Sequence, residues 1–197
     1  MSNPVCLIVG ADDSIGATTA KRFAKGGFTI CPLETVSSNV CGNINSPIFE
    51  TPERVFYRVW QMACFAGFFA GRVAARHIMP RGRGSIFTGA TASLREASGH
   101  AAFSRAKFGL RALAQAMKRE LRPRGLPVAH LIIDSGGDTA FVRDRIKERG
   151  INPDESPQDT LMSPDSVGKV YWNSHHQTRD AWTHEMGIRP FTENLKH

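Results

Sequence analysis

Residues 5–31 read VCLIVGADDSIGATTAKRFAKGGFTIC, and this stretch decides the fold. Val5, Cys6, Leu7, Ile8 and Val9 form an unbroken apolar run rich in branched residues. A run apolar on both faces suits a strand of a parallel sheet covered by helices. Gly10 ends it, and Ala11-Asp12-Asp13-Ser14 make a turn. Residues 15–25 then predict a helix. Ile15, Thr19 and Phe23 recur at i, i+4 and i+8 with Ala20 and Ala24 beside them, and Gly26-Gly27 stop it. Thr19 leaves that stripe partly polar, so the flanking turns carry as much of the reading as the stripe. Residues 28–31 are a second short apolar run. Strand, glycine turn, helix and strand in this order make a βαβ unit. A turn of this kind aims backbone N–H groups from the helix start, and a glycine there lets a pyrophosphate approach closely.

The pattern continues outward. Residues 36–40 are a weak strand signal. Thr51-Pro52-Glu53 predicts a helix start, with a Thr cap, Pro at the first helical position and an acid in the first turn. The helix runs to about residue 79 through Val55, Val59, Met62, Phe65, Phe69, Val73 and Ile78, and Pro80, Gly82 and Gly84 end it. Residues 85–88 predict a strand, 101–121 a second long helix, 127–133 a strong strand and 140–148 a short helix. Ser163 caps a last helix to about residue 173. Residues 180–188 alternate, with Trp182, His184, Met186 and Ile188 on one side, and predict a final strand. Strands alternating with helices give an α/β protein with a mostly parallel sheet. A length of 197 residues fits one domain spanning 1–197.

Hydrophobic residues at 41% and charged residues at 22% exclude a wholly disordered chain and a coiled coil. No apolar run approaches the roughly 20 residues of a membrane span. Residues 1–10 lack a basic segment followed by a long apolar one, so no secretory leader is expected. Cys6, Cys31, Cys41 and Cys64 form no CxxC pair, which suits reduced thiols in the cytoplasm. The net charge of +7 is spread along the chain. Arg72, Arg76, Arg81, Arg83, Arg105 and Arg111 carry no aromatic stacking motif, so a solvated face is expected and no nucleic-acid partner. His175, His176 and His184 have no acidic ligand at a recognisable spacing, and no metal site is expected. Trp182 and Phe191 are expected at a core or subunit contact.

At the glycine turn the sequence resembles the short-chain dehydrogenase/reductase family. The family's TGxxxGxG fingerprint stands here as Val9-Gly10-Ala11-Asp12-Asp13-Ser14-Ile15-Gly16. Its NNAG turn is similar to Asn39-Val40-Cys41-Gly42. Its YxxxK pair stands as Phe103-Ser104-Arg105-Ala106-Lys107, and its later PG…T turn as Ser135-Gly136-Gly137-Asp138-Thr139. The resemblance covers residue 4 to about residue 188. It implies a three-layer Rossmann-like fold and hydride transfer between NAD or NADP and a carbonyl or hydroxyl substrate. Gly10, Ser14, Ile15 and Gly16 would line the pyrophosphate, and Asn39, Gly136 and Thr139 would complete the cofactor contacts. Lys107 would hold the nicotinamide ribose and Thr91 would polarise the carbonyl. Residues 139–175 would form the substrate loop. The long helices at 55–78 and 102–121 resemble the pair that joins subunits into a homodimer or homotetramer.

The departures carry equal weight. Phe103 takes the place of the family Tyr and has no proton to give. The Ser position falls on Ala90 or Thr91, and the Asn position of the first long helix near Ala63. Ser104, His100 and Thr91 are the candidate groups left to hold a water in place of the missing acid. The chain also passes from 28–31 to 36–40 through residues 32–35 alone. Parallel neighbours need a crossover of about a dozen residues or more. These two segments therefore cannot both take their family positions. A block missing near 30–33 is expected, with fewer strands than the family fold and an exposed sheet edge. Weak oxidoreductase activity is expected, with a catalytically inactive interaction or regulatory module as the alternative.

Overall fold

A computed structural model describes residues 5–9, 15–33, 44–81, 85–88, 91–95, 97–157 and 159–192. In chain order the elements are β1 (Val5–Val9), α1 (Ile15–Lys25), β2 (Thr29–Leu33), α2 (Glu53–Trp60), a π-helical turn (Gln61–Phe65) and α3 (Ala66–Ile78). There follow β3 (Ser85–Thr88), a 3₁₀ turn (Thr91–Ser93), α4 (Ala101–Leu121), β4 (Val128–Ile133), α5 (Ala140–Glu148), α6 (Pro164–His175) and β5 (Glu185–Ile188). β1 and β2 pair in parallel, from Val5 opposite Thr29 to Val9 opposite Leu33. A second sheet has the order β3-β4-β5. β3 and β4 pair in parallel, from Ser85 opposite Val128 to Thr88 opposite Leu131. The His130 N–H donates to the His184 carbonyl at 2.9 Å and the Asp134 N–H to the Ile188 carbonyl at 2.8 Å, so β5 advances in the same direction as β4. The architecture is the expected parallel α/β one, with few strands. The 36–40 strand reading lies outside the described residues.

Two compact units divide the chain. The first comprises residues 1–35, 134–176 and 188–197. Here α1 ends at Gly27, whose φ of +85° suits glycine. The Gly27 N–H donates to the Ala24 carbonyl at 3.0 Å and the Phe28 N–H to the Phe23 carbonyl at 3.1 Å. This is a Schellman stop, and it sets the Phe23 and Phe28 rings edge to face, 5.2 Å apart. Trp172 and His175 of α6 close on the same two rings. α1 also approaches α6 at Gly168, where a side-chain carbon would sit 3.7 Å from Thr18 Cγ2. The polar Thr19 is buried in its stripe because its hydroxyl donates back to the Ile15 carbonyl at 2.7 Å.

The second unit comprises residues 36–133 and 177–187. Leu110, Ala114 and Val128 form one buried cluster, with Leu113, Met117 and Leu121 against it. Val59, Ala102 and Ala106 form another, flanked by Ile44, Val55, Phe56 and Ala63. α4 is therefore packed by β4 at one end and α2 at the other. The first long helix is not regular. A π turn at Gln61–Phe65 divides it, which shifts the faces of α3 relative to α2. It also begins one residue later than expected: Pro52 is the cap, and the Thr51 hydroxyl donates to the Pro47 carbonyl at 2.9 Å. The final strand is shorter than expected, starting at Glu185. The Thr183 N–H is captured by the Gln177 side chain at 2.7 Å, which holds the preceding residues out of the ladder. Phe191, expected at a core or subunit contact, is 94% exposed and so lies outside this chain's core.

Candidate functional site

The second unit carries the residues read as catalytic. α4 opens at His100 and presents Phe103 and Lys107 one turn apart. The Lys107 ammonium lies 5.4 Å from the centre of the Phe103 ring. The Ser104 hydroxyl donates to the His100 carbonyl at 3.0 Å, so its proton is committed to the helix. His100 Nε2 lies 3.1 Å from Asn45 Nδ2. The Thr91 backbone opens the 3₁₀ turn that follows β3.

That turn is tied down from two sides by residues the sequence reading passed over. Ser93 and His130 are both 0% exposed, and the Ser93 Oγ to His130 Nε2 distance is 3.3 Å. Arg111 of α4 donates from Nη1 to the Ser93 carbonyl at 3.3 Å. Its Nε and Nη2 hold both oxygens of Glu185, each at 2.7 Å. Burial pushes the His130 imidazole down to about 4, against an opposing pull from Glu185. The Arg111 guanidinium beside Glu185 holds that carboxyl below its ordinary value. The signal available in the sequence was a lone histidine inside the apolar run 128–133.

The first unit carries the residues read as cofactor contacts. α1 starts at Ile15-Gly16, and its first turn holds no acidic residue. A side-chain carbon at Gly137 would meet Ile15 Cδ1 at 3.2 Å, so the 135–139 turn lies against the start of α1. The Met162 N–H donates to the Gly136 carbonyl at 3.0 Å, and the Asp138 N–H to the Met162 carbonyl at 2.7 Å. The Thr139 hydroxyl caps α5 by accepting from the Val142 N–H at 3.3 Å. Arg143 grips Asp138 and also donates to Asp154 at 2.6 Å. The hydrogen bond from Arg143 to Asp138 holds the Asp138 carboxyl below its ordinary value. Gly10, Ser14, Asn39 and Ala90 lie outside the described residues. A helix with no acid in its first turn, and a glycine turn lying on it, suits an anionic dinucleotide.

The family profile described as short chain dehydrogenase matches residues 29–148. A short-chain dehydrogenase from Rhodopseudomonas palustris superposes with a TM-score of 0.76 at 36% identity, covering 97% of this chain and 100% of that one. This chain belongs to the short-chain dehydrogenase family. The family's fold extends to more distant structures. The alcohol dehydrogenase of the archaeon Thermococcus sibiricus, complexed with 5-hydroxy-NADP, reaches a TM-score of 0.76 at 14% identity, with 98% and 99% of the two chains covered. A 4-hydroxyisoleucine dehydrogenase complexed with NADH reaches 0.74 at 17% identity, with 94% and 96% covered. No curated protein sequence matches significantly.

Within this short-chain dehydrogenase, three of the six arginines read as a basic stretch are occupied locally. Arg72 lies 4.9 Å from the Phe69 ring centre, Arg105 4.1 Å from that of Phe56, and Arg111 holds Glu185. His175 packs on Phe28 and His176 on Trp172. Cys64 is a free thiol whose ionisation burial makes harder. Among the described residues no helix is long and apolar enough to cross a membrane.

Proposed function

We propose that the chain is a nicotinamide-dependent oxidoreductase of low turnover, acting in the cytoplasm on a small carbonyl or alcohol with NAD or NADP. The observation that carries this reading is the βαβ unit, in which the acid-free start of α1 lies against the Gly137 turn. The nicotinamide relatives of the same fold support it. Gly10, Ser14, Ile15 and Gly16 line the pyrophosphate, with Asn39, Gly136 and Thr139 as further contacts. Lys107 holds the nicotinamide ribose, and Thr91 polarises the carbonyl. When bound, the nicotinamide gives or takes the hydride. Phe103 supplies no proton, and general acid–base catalysis is worth about 10²–10⁴-fold. Calorimetric titration with NADH and with NADPH tests the reading. Micromolar binding to either supports it, and no binding by a folded chain overturns it.

Subunits pair through the outer side of the α2–α3 helices, as a homodimer or homotetramer. Phe65, Phe68, Phe69 and Val73 are all exposed there, the three rings touch one another, and clustered exposed apolar side chains mark interaction surfaces. A second reading, a non-catalytic member that acts by docking, draws on Phe103 and on this surface. Turnover separates the two.

A further inference from the structure

We propose that His130 and the Arg111–Glu185 pair are positioning residues that set the turn carrying Thr91 against the helix carrying Lys107. The inference rests on the reading of Thr91 and Lys107 as site residues. It begins with the cost of burial. Val128, Ala129, Leu131, Ile132 and Ile133 surround position 130 in β4. Another apolar residue there would bring no dry atom of its own but would take His130 away from the buried Ser93 hydroxyl. A fully buried imidazole and a fully buried hydroxyl are tolerated when they satisfy each other. His130 and Ser93 do so, at 3.3 Å. His130 Nδ1 has no hydrogen-bond partner, so the side chain is kept at the cost of one dry atom.

The second tie comes from α4. Arg111 follows Lys107 by four residues, one turn further along the same helix face. Its guanidinium is fixed by the bidentate grip of Glu185, a geometry that restricts both distance and plane. With its orientation set, the remaining Nη1 reaches the Ser93 carbonyl. The turn is thus held through its side chain from β4 and through its backbone from α4. Thr91 stands two residues earlier in the same 3₁₀ turn. The groups facing His130 are Glu185, which favours its proton, and Arg111, Lys107 and His184, which oppose it. Burial dominates, so the imidazole is neutral near pH 7 and the bond to Ser93 joins two uncharged partners.

The test uses Ser93→Ala, His130→Leu and His130→Gln, the last keeping an amide nitrogen near the reach of Nε2. Amide hydrogen exchange is read first, because it needs no cofactor. Exchange at residues 91–93 is expected to quicken about tenfold in Ser93→Ala and His130→Leu, the loss of one buried bond. Exchange within α4 stays unchanged, and His130→Gln restores protection. Equal exchange in all chains overturns the proposal. So does a loss spread evenly over α4 and the turn. Where the wild type reduces a carbonyl, kcat falls about tenfold to a hundredfold in Ser93→Ala while the Kd for NADH or NADPH moves less than about threefold. A kcat that holds, or one lost together with nucleotide binding and not regained in His130→Gln, overturns it as well. If the wild type binds neither nucleotide, the functional reading fails on its own and the positioning role falls with it, while exchange still decides whether the tie exists.

Discussion

Lys107 and Phe103 meet on one face of α4, the ammonium 5.4 Å from the ring centre. A ring without a hydroxyl attracts a cation through its face but relays nothing to it. Restoring the hydroxyl is therefore the most direct probe of the site. Phe103→Tyr is expected to raise carbonyl reduction about a hundredfold, followed by the loss of reduced-nicotinamide absorbance. No gain in a chain that binds cofactor would count against a site that is otherwise in working order.

Lys107 is expected to act on binding before chemistry. A hydrogen bond from a charged donor is worth about 1.5–3 kcal/mol. Lys107→Met is expected to weaken NADH or NADPH affinity about tenfold or more by titration, with the helix intact by circular dichroism. An unchanged affinity would leave Lys107 as a surface cation.

Acid should weaken the second unit through His130 and Glu185 together. The folded His130 value of about 4 lies below the ordinary 6.5, so between these values the unfolded chain binds the extra proton. Stability is whole above that window and is lost as pH falls through it. Glu185 is also held low, by Arg111, and adds a loss from its ordinary value of 4.5 downward. The melting temperature is expected to fall steadily from pH 6.5 to 4, and His130→Leu to flatten the upper part of that slope. An identical slope in the variant would sink the assignment.

The close approach at Gly26 makes a sharp packing test. A side-chain carbon there would run into the ring of Trp172, with Cζ2 at 3.2 Å. Overpacking of this kind costs about 1–3 kcal/mol. Gly26→Ala is expected to lower stability by that amount in urea, with Trp172 fluorescence reporting the displaced ring.

The aromatic side of α3 is expected to be covered by a second copy. Phe69 is 43% exposed and packs edge to face with Phe65, 4.8 Å between ring centres. Phe69→Glu is expected to shift the protein to monomer in light scattering at micromolar concentration. An unchanged mass would remove this face from the assembly.

α1, α4 and α5 lie where the sequence predicts because their ends are punctuated. Gly26-Gly27 stop α1, and Gly125, at a φ of +81°, closes the turn after α4. The π turn leaves no mark in the sequence, because one extra residue barely disturbs the hydrophobic spacing of the helix. Alternation at 182–188 predicts a longer last strand than forms, because the Gln177 side chain holds the Thr183 N–H. Lys107 and Phe103 were legible, since their spacing is local. The tie from Ser93 to His130 spans 37 residues and that from Arg111 to Glu185 spans 74. Such pairings are created by the sheet and have no signature in one stretch of chain.

The π turn at Gln61–Phe65 takes up one more residue than an α turn would. It is therefore the place where this helix can lose a residue and keep its phase. A deletion there would let the backbone resume an ordinary α-helical ladder, with Gly67 still facing Leu110, which it admits at a distance no larger residue allows. In regular α-helix the same loss would turn every residue beyond it by about 100° around the axis.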